Sequence, residues 1–226
     1  MNKLLCLALA LFYFAQICPA QSYFGIEAGG LISNTPGNAS GGPNNVLSQK
    51  KNILGSLQGG VWSDMRISDY MDFQPHLLLT RKGSTLENAY ETGGSGRLSL
   101  TYLELPLNLM YRIPLGYDDL FLGGGVYGAV AVGGHFKDSP DSAGGTFSGQ
   151  ILFDGNATPP NSRDLHLSRF DGGLNAQITY QCSFGLTFHL RYSLGMIDIN
   201  PGGPGWLRNQ SAVFSLAYLF HYNTRD

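Results

Sequence analysis

Seven ionisable side chains stand at polar positions of segments in which apolar and polar residues alternate. They are Glu27, His76, Glu104, Arg112, Asp171, His189 and Arg191. If these segments enclose a narrow interior, the charges must pair there, because an unpaired buried ion costs several kcal/mol. We expect Glu104 to pair with Arg191 or Arg112, and the group to form a polar network that plugs the lumen and fixes strand register. A path for protons or ions is the alternative chemistry.

The sequence contains Ser, His and Asp residues but no arrangement typical of a catalytic centre. It has no Gly-x-Ser-x-Gly elbow and no pair of histidines with metal-binding spacing. Asp164 and His166 fall in a long predicted loop where a lipid-modifying site could be built, although solvated loop residues are the ordinary interpretation. We therefore predict no enzyme activity, no catalytic residue, no metal site and no cofactor.

Strands must position these side chains, and the clearest strand is residues 102–113. Its odd positions are apolar, whereas its even positions are mostly polar and include Glu104 and Arg112. Successive side chains of a strand point to opposite faces, so this segment has one apolar and one polar face. A helix would scatter the apolar residues around its circumference. At roughly 3.3 Å per residue, the strand is long enough to cross a bilayer core at a tilt.

The same alternation recurs in seven other segments, so the sequence predicts eight strands. The other predicted strands are residues 23–34, 53–65, 71–83, 120–136, 170–182, 186–196 and 211–222. Abundant Gly, Tyr and Phe with few charged residues also favour strands in a tight barrel over a helical domain. All seven ionisable residues named above fall on the polar faces of these strands.

The connections between the predicted strands alternate between long and short. The long ones are rich in Gly, Ser, Asn, Asp and Pro, and residues 137–168 form the longest irregular stretch. An even strand number with short turns at one end and long loops at the other is typical of an outer-membrane β-barrel, with both termini in the periplasm. Aromatic residues near strand ends fit interface girdles: Tyr23, Phe24, Tyr111, Phe121, Tyr180, Phe184, Phe220 and Tyr222.

The N-terminus reads as a signal peptide at residues 1–20, followed by one barrel domain at residues 21–226. Lys3 precedes a short apolar run that is well below the about 20 residues of a membrane helix. Cleavage would remove Cys6 and Cys18, so no intrachain disulfide and no cysteine-rich zinc site is expected. It would also remove one of 14 basic residues and none of 16 acidic ones. The remaining mildly acidic chain has no basic patch, and we predict no nucleic-acid binding.

Alternation alone does not distinguish a membrane barrel from a soluble, lipocalin-like ligand binder, whose apolar face points inward. Three features favour the membrane barrel. The polar faces carry many small residues that suit a narrow interior, the strands have few charges for a solvated exterior, and the long loops lie at one end. We therefore predict an all-β, eight-stranded antiparallel up-and-down transmembrane barrel with a plugged polar lumen, in contact with the lipid bilayer of the cell outer membrane.

Three motifs resemble one known family, the PorT-like outer-membrane β-barrel proteins of Bacteroidetes-type Gram-negative bacteria. They are the sequence YLELPL at residues 102–107, the strand with Gln74-Pro75 that ends in Lys82-Gly83, and RYSLG at residues 191–195. The similarity extends over residues 23–220. The resemblance implies an eight-stranded outer-membrane barrel, and the family's namesake is linked to type IX protein secretion.

Two functional classes fit this interpretation. The first is a structural or secretion-associated barrel, monomeric, with periplasmic or secretion-machinery partners. The second is a surface binding or adhesion protein that uses residues 137–168, because long loops on a rigid scaffold commonly carry recognition. A general diffusion pore does not fit, since the interior of eight strands is filled by its own side chains.

Overall fold

The computed structural model describes residues 22–39, 47, 50–87, 95–139, 147–156, 158 and 164–220. The signal peptide at residues 1–20 and the end of the last predicted strand at residues 221–222 lie outside the described residues and stay predictions. No helix in the described part of the chain is long and apolar enough to cross a membrane.

Ten strands occur in the described residues, and eight of them close into an antiparallel barrel. The barrel strands are β1 (Ser22–Asn34), β2 (Lys50–Arg66), β3 (Met71–Glu87), β4 (Ser95–Leu115), β5 (Asp118–Ser139), β8 (Phe170–Gln181), β9 (Leu186–Gly195) and β10 (Gln210–Phe220). Each pairs with the next barrel strand, and the β1–β10 pairing closes the ring. The predicted eight-stranded barrel is confirmed. The two short strands β6 (Phe147–Leu152) and β7 (Leu165–His166) lie in the connection between β5 and β8.

Over most of the length of the strands, the apolar faces point outward and the polar faces point into the lumen. On β1, Ile26 is 53% exposed whereas the adjacent Glu27 is 3% exposed. On β2, Leu57 is 75% exposed whereas Gln58 is 6% exposed. A soluble lipocalin-like barrel would show the reverse, so that alternative is wrong.

The strands on one side of the barrel run further outward than predicted. Strand β4 begins at Ser95 rather than at residue 102, and β5 ends at Ser139 rather than at residue 136. The connection at residues 137–168 was predicted to be irregular, but β6 pairs with the end of β5 and β7 pairs parallel to β6. These ladders were missed because a sheet outside the hydrocarbon layer needs no apolar alternation.

The aromatic residues near strand ends mostly face outward, as the girdle interpretation requires. Phe24, Tyr111 and Phe184 are all exposed. Tyr23 is one exception, since it lies on the inward face of β1 and packs half-buried against Trp62. Phe121 is another, because its side chain is fully buried in the lumen and the Arg112 guanidinium lies 5.0 Å from its ring centre. The prediction that Phe121 belongs to the aromatic girdle is wrong, because this residue lies on the inward face of β5.

Two glycines of β5 provide a matched test of how closely β4 and β5 approach. A Cβ atom added at Gly125 would lie 1.9 Å from the Leu107 carbonyl oxygen, whereas a Cβ at Gly128 would meet no atom within 4 Å. We expect Gly125→Ala to lower the free energy of unfolding by about 1–3 kcal/mol, because the strands must shift apart. Gly128→Ala should change it by less than about 0.5 kcal/mol. Urea unfolding of the refolded barrel in micelles, followed by tryptophan fluorescence, measures both, and equal losses would contradict the prediction.

Candidate functional site in the barrel lumen

Glu27 of β1 lies at the middle level of the lumen and contacts side chains of four other strands. Its carboxylate lies 2.6 Å from His76 Nδ1 of β3 and accepts a hydrogen bond from Gln58 Nε2 of β2 at 2.9 Å. Arg191 Nη2 of β9 and the Ser215 hydroxyl of β10 both lie 3.4 Å from its Oε1. All five side chains are buried. One carboxylate therefore links five strands of the ring.

Arg191 extends this middle level across the lumen through Gln177 of β8. Its Nε donates to Gln177 Oε1 at 2.8 Å, and Asn108 Nδ2 of β4 donates to the same oxygen at 2.9 Å. Gln177 Nε2 donates in turn to Gln74 Oε1 of β3 at 3.1 Å. Gln177 is a junction that sequence reasoning did not single out, although its inward position in the alternation of β8 was visible.

Two buried histidines pack at this level against the Trp62 indole. The His76 ring is stacked on it at 5.7 Å between ring centroids, and the His189 ring meets it edge-on at 4.6 Å. His189 Nδ1 lies 2.8 Å from the Thr179 hydroxyl, and its Nε2 lies 3.9 Å from the Glu27 carboxylate. Indole packing on both rings leaves these histidines little room for movement.

Glu104 lies at the outer level of the lumen, where its carboxylate is 2.5 Å from Lys82 Nζ of β3. The predicted pairing of Glu104 with Arg191 or Arg112 is therefore wrong. The Lys82 ammonium also lies 4.0 Å from the Asp171 carboxylate and 4.3 Å from the Tyr127 ring centre. Sequence reasoning missed Lys82 as the partner of Glu104. The alternation of apolar and polar residues predicts which side chains face the lumen, but not their depth along the barrel relative to side chains of other strands.

Arg112 belongs to a third level, near the short turns. It donates to Asp72 Oδ2 through Nη2 at 2.5 Å and through Nε at 2.9 Å. Asp64 Oδ2 lies 3.8 Å from Arg112 Nη2, and Asp119 Oδ2 lies 3.5 Å from Arg112 Nη1. Gln74 Nε2 donates to Asp64 at 3.1 Å and so connects this level with the middle one.

The seven predicted residues are thus all buried, but they form three levels rather than one cluster. Glu27, His76, His189 and Arg191 lie together at the middle, Glu104 and Asp171 share Lys82 at the outer level, and Arg112 pairs near the turns. Asn209 Nδ2 donates to Asp171 Oδ2 at 2.9 Å and so completes the outer level. In chemical terms, Lys82, Arg112 and Arg191 each lie beside at least one carboxylate, and carboxylates outnumber cations at the outer level and near the turns.

An apolar cluster lies at the outer end of the lumen, beyond the Lys82 level. Its members come from the ends of the barrel strands and from the outer connections: Ala39, Leu47, Leu86, Leu98, Leu100, Tyr102, Tyr127, Ala129, Ala131, Phe136, Ile151, Leu165, Leu167, Ile199 and Leu207. The Tyr102 hydroxyl accepts a hydrogen bond from Asn209 Nδ2 at 3.2 Å, which joins this cluster to the polar level below it.

Asp164 and His166, the residues weighed for a lipid-modifying site, take part in separate contacts of the outer connection. His166 Nδ1 lies 2.8 Å from Asp154 Oδ2, and Asp164 Oδ1 accepts the Gln150 backbone N–H at 3.1 Å. The Asn156 backbone N–H donates to Asp154 and keeps the pKa of that carboxyl below its usual range. No cluster of three or more His, Cys, Asp or Glu side chains suited to a metal ion is present in the described part of the chain.

The sequence matches the family model described as outer membrane protein beta-barrel domain over residues 14–200. Similar solved structures include Ail, the attachment invasion locus protein of Yersinia pestis, with 12% identity, a TM-score of 0.42 and coverage of 88% of this chain and 99% of that chain. The outer membrane protein OprG from Pseudomonas aeruginosa shares 12% identity, with a TM-score of 0.47 and coverage of 89% and 97%. No curated protein matches the sequence.

The Lys82–Glu104 pair can be tested by a double-mutant cycle. Glu104→Leu leaves the buried Lys82 ammonium with only the more distant Asp171 carboxylate, and we expect the free energy of unfolding to fall by about 3–5 kcal/mol. Lys82→Met combined with Glu104→Leu should recover most of this loss, because an apolar pair of similar volume avoids the unpaired charge. Urea unfolding in micelles measures all variants. A double variant no more stable than Glu104→Leu would contradict the pairing.

Proposed function

We propose that this chain, which belongs to the outer membrane protein beta-barrel domain family and lies in the outer membrane, acts through proteins bound at the ends of a plugged, monomeric barrel. The observation that carries this proposal is the set of paired side chains at three successive levels of the lumen. An eight-stranded ring has an interior just wide enough for its own side chains. A solute would have to displace the Glu27, Lys82 and Arg112 pairs in turn.

Energetics oppose transport through this lumen. Breaking one buried ion pair costs about 3–5 kcal/mol, and the pairs lie one above another along the barrel. The apolar cluster at the outer end, with fully buried Phe136 and Leu100, would exclude water and ions as well. We therefore propose that the protein functions by binding other molecules at its surfaces and not by transporting a solute through its lumen.

The periplasmic turns support a role with a periplasmic partner. Each of the three short turns presents a large apolar side chain: Ile67 is 62%, Tyr117 is 79% and Phe184 is 62% exposed. Exposed apolar and aromatic side chains on a rigid scaffold are typical of protein–protein interfaces. We propose that these residues bind a component of a secretion apparatus. The resemblance to the PorT-like proteins supports this choice and makes type IX secretion the specific candidate.

A second candidate function is surface binding or adhesion, and the outer connection between β5 and β8 favours it. This segment contains β6 and β7, and its Ile151 and Leu165 side chains are buried in the apolar cluster. The described part of this connection, anchored in this way, presents a fixed surface to the exterior, which suits recognition.

Matched surface variants separate the two functions. We expect the triple variant Ile67→Ser, Tyr117→Ser, Phe184→Ser to lose periplasmic proteins that co-purify with the wild-type barrel from gently solubilised membranes, and to accumulate secreted cargo in the periplasm. The control is Leu152→Ser with Trp206→Ser, two exposed apolar residues of the outer connections, and it should retain both properties. Loss confined to the control variant would support surface binding instead.

Conductance measurements test the plugged lumen directly. We expect no steady conductance from the wild-type barrel in planar bilayers, and none from Glu104→Leu, because the leucine side chain still fills the outer level. A large, stable conductance from either protein would contradict the proposal that this barrel works only through its ends.

A further inference from the structure

Four basic side chains form one cluster on the outward face of strands β3, β4 and β5. They are Arg81, Arg97, His135 and Lys137, and we call them the basic cluster. Arg97 pairs with Lys137 in the β4–β5 register, and Ser99, the neighbour two residues along, pairs with His135. Arg97, His135 and Lys137 are exposed, and Arg81 is half-buried. The sequence predicts no basic patch, and this is wrong for this surface because strand pairing assembles it from distant segments.

The basic cluster lies directly outside the apolar band of the same strands. Leu79 is 54% exposed and precedes Arg81 by two positions on β3, and Val132 is 59% exposed and precedes His135 on β5. Each strand residue advances about 3.3 Å, reduced by a strand tilt of roughly 40°. The cluster therefore begins within one or two residues of the end of the hydrocarbon layer, at the depth of the lipid head groups.

The cationic groups lie near one another, and no described carboxylate side chain forms an ion pair with them. Arg81 Nη2 lies 3.2 Å from His135 Nε2, and Arg81 Nε donates to the Ser99 hydroxyl at 2.6 Å. Among the described residues, ion pairs involve Lys82, Arg112, Arg191 and three histidines, His76, His166 and His189. None of these pairs includes a member of the basic cluster. A group of like charges held by strand pairing is stabilised by an anion between them.

We propose that the basic cluster binds the phosphate groups of anionic lipids in the outer leaflet. The occupant follows from position, because a side chain on the lipid-facing side of a barrel at head-group depth is surrounded by head groups. Arginine binds phosphate oxygens through two parallel N–H donors, and lysine adds a point charge. Arg97 of β4 and Lys137 of the neighbouring β5 would bind the same phosphate group. Arg81 lies closer to the hydrocarbon layer.

Native mass spectrometry of the micelle-solubilised barrel with added diphosphoryl lipid A tests this proposal. We expect Arg97→Gln to weaken lipid binding about fivefold, and Arg97→Gln with Lys137→Gln about 25-fold, from the usual contribution of each surface cation. The control is Arg208→Gln, an exposed arginine over the Trp206 ring near β1, on the other side of the barrel, and it should bind as the wild type does. Lipid A stripped of both phosphates should not bind.

Several outcomes would overturn the proposal. One is unchanged lipid binding by the double variant, and another is equal weakening by Arg208→Gln. Binding of soluble inorganic phosphate or dextran sulfate with the same dependence on Arg97, but without lipid binding, would assign the cluster to a soluble anion instead. Heat-dependent migration on gels confirms that each variant is folded, and Lys137→Gln alone replaces the double variant if that one does not fold. None of these results bears on the separate proposal that the periplasmic turns bind a partner protein.

Discussion

Hydrocarbon offers no hydrogen-bonding partner, so every backbone N–H and C=O of a spanning strand must pair inside the ring. In this chain the β1–β10 ladder meets that demand, since it joins the first strand to the last and leaves no edge within the barrel. Closure also decides where side chains go. With strands tilted in a ring of eight, alternate side chains must face either lipid or a narrow interior, and this accounts for the exposed Leu57 beside the buried Gln58.

Below the apolar cluster at its outer end, the interior that results is polar, and Lys82, Arg112 and Arg191 each lie beside a carboxylate. The Glu27 carboxylate contacts four side chains, those of His76, Gln58, Arg191 and Ser215. Lys82 forms an ion pair with Glu104. Such pairs contribute little net stability, because their attraction is offset by the loss of hydration. We propose that they contribute specificity, since a strand that slipped by one residue would turn its charges into lipid and leave the partners unpaired.

The exterior differs between the two ends of the barrel, and so do the partners that each end suits. The short turns carry isolated large apolar side chains such as Tyr117, which fit a protein surface. The outer end continues as a sheet beyond the hydrocarbon layer, and Arg97 and Lys137 on that extension fit anionic groups. We propose that the barrel positions two different binding surfaces on opposite sides of one membrane.

The sequence by itself determined the number of barrel strands, most of their inward and outward faces, and the membrane-facing surface. Each of these follows from a two-residue period that any one segment displays, as in Leu103, Glu104 and Leu105. The period also indicated which ionisable residues lie inside. It could not indicate their partners. Glu104 contacts Lys82, and Arg112 contacts Asp72, because strand register places residues from separate segments at the same depth in the barrel. The basic cluster and the β6–β7 extension likewise depend on strand register, which is set by closure of the whole ring and not by any single segment.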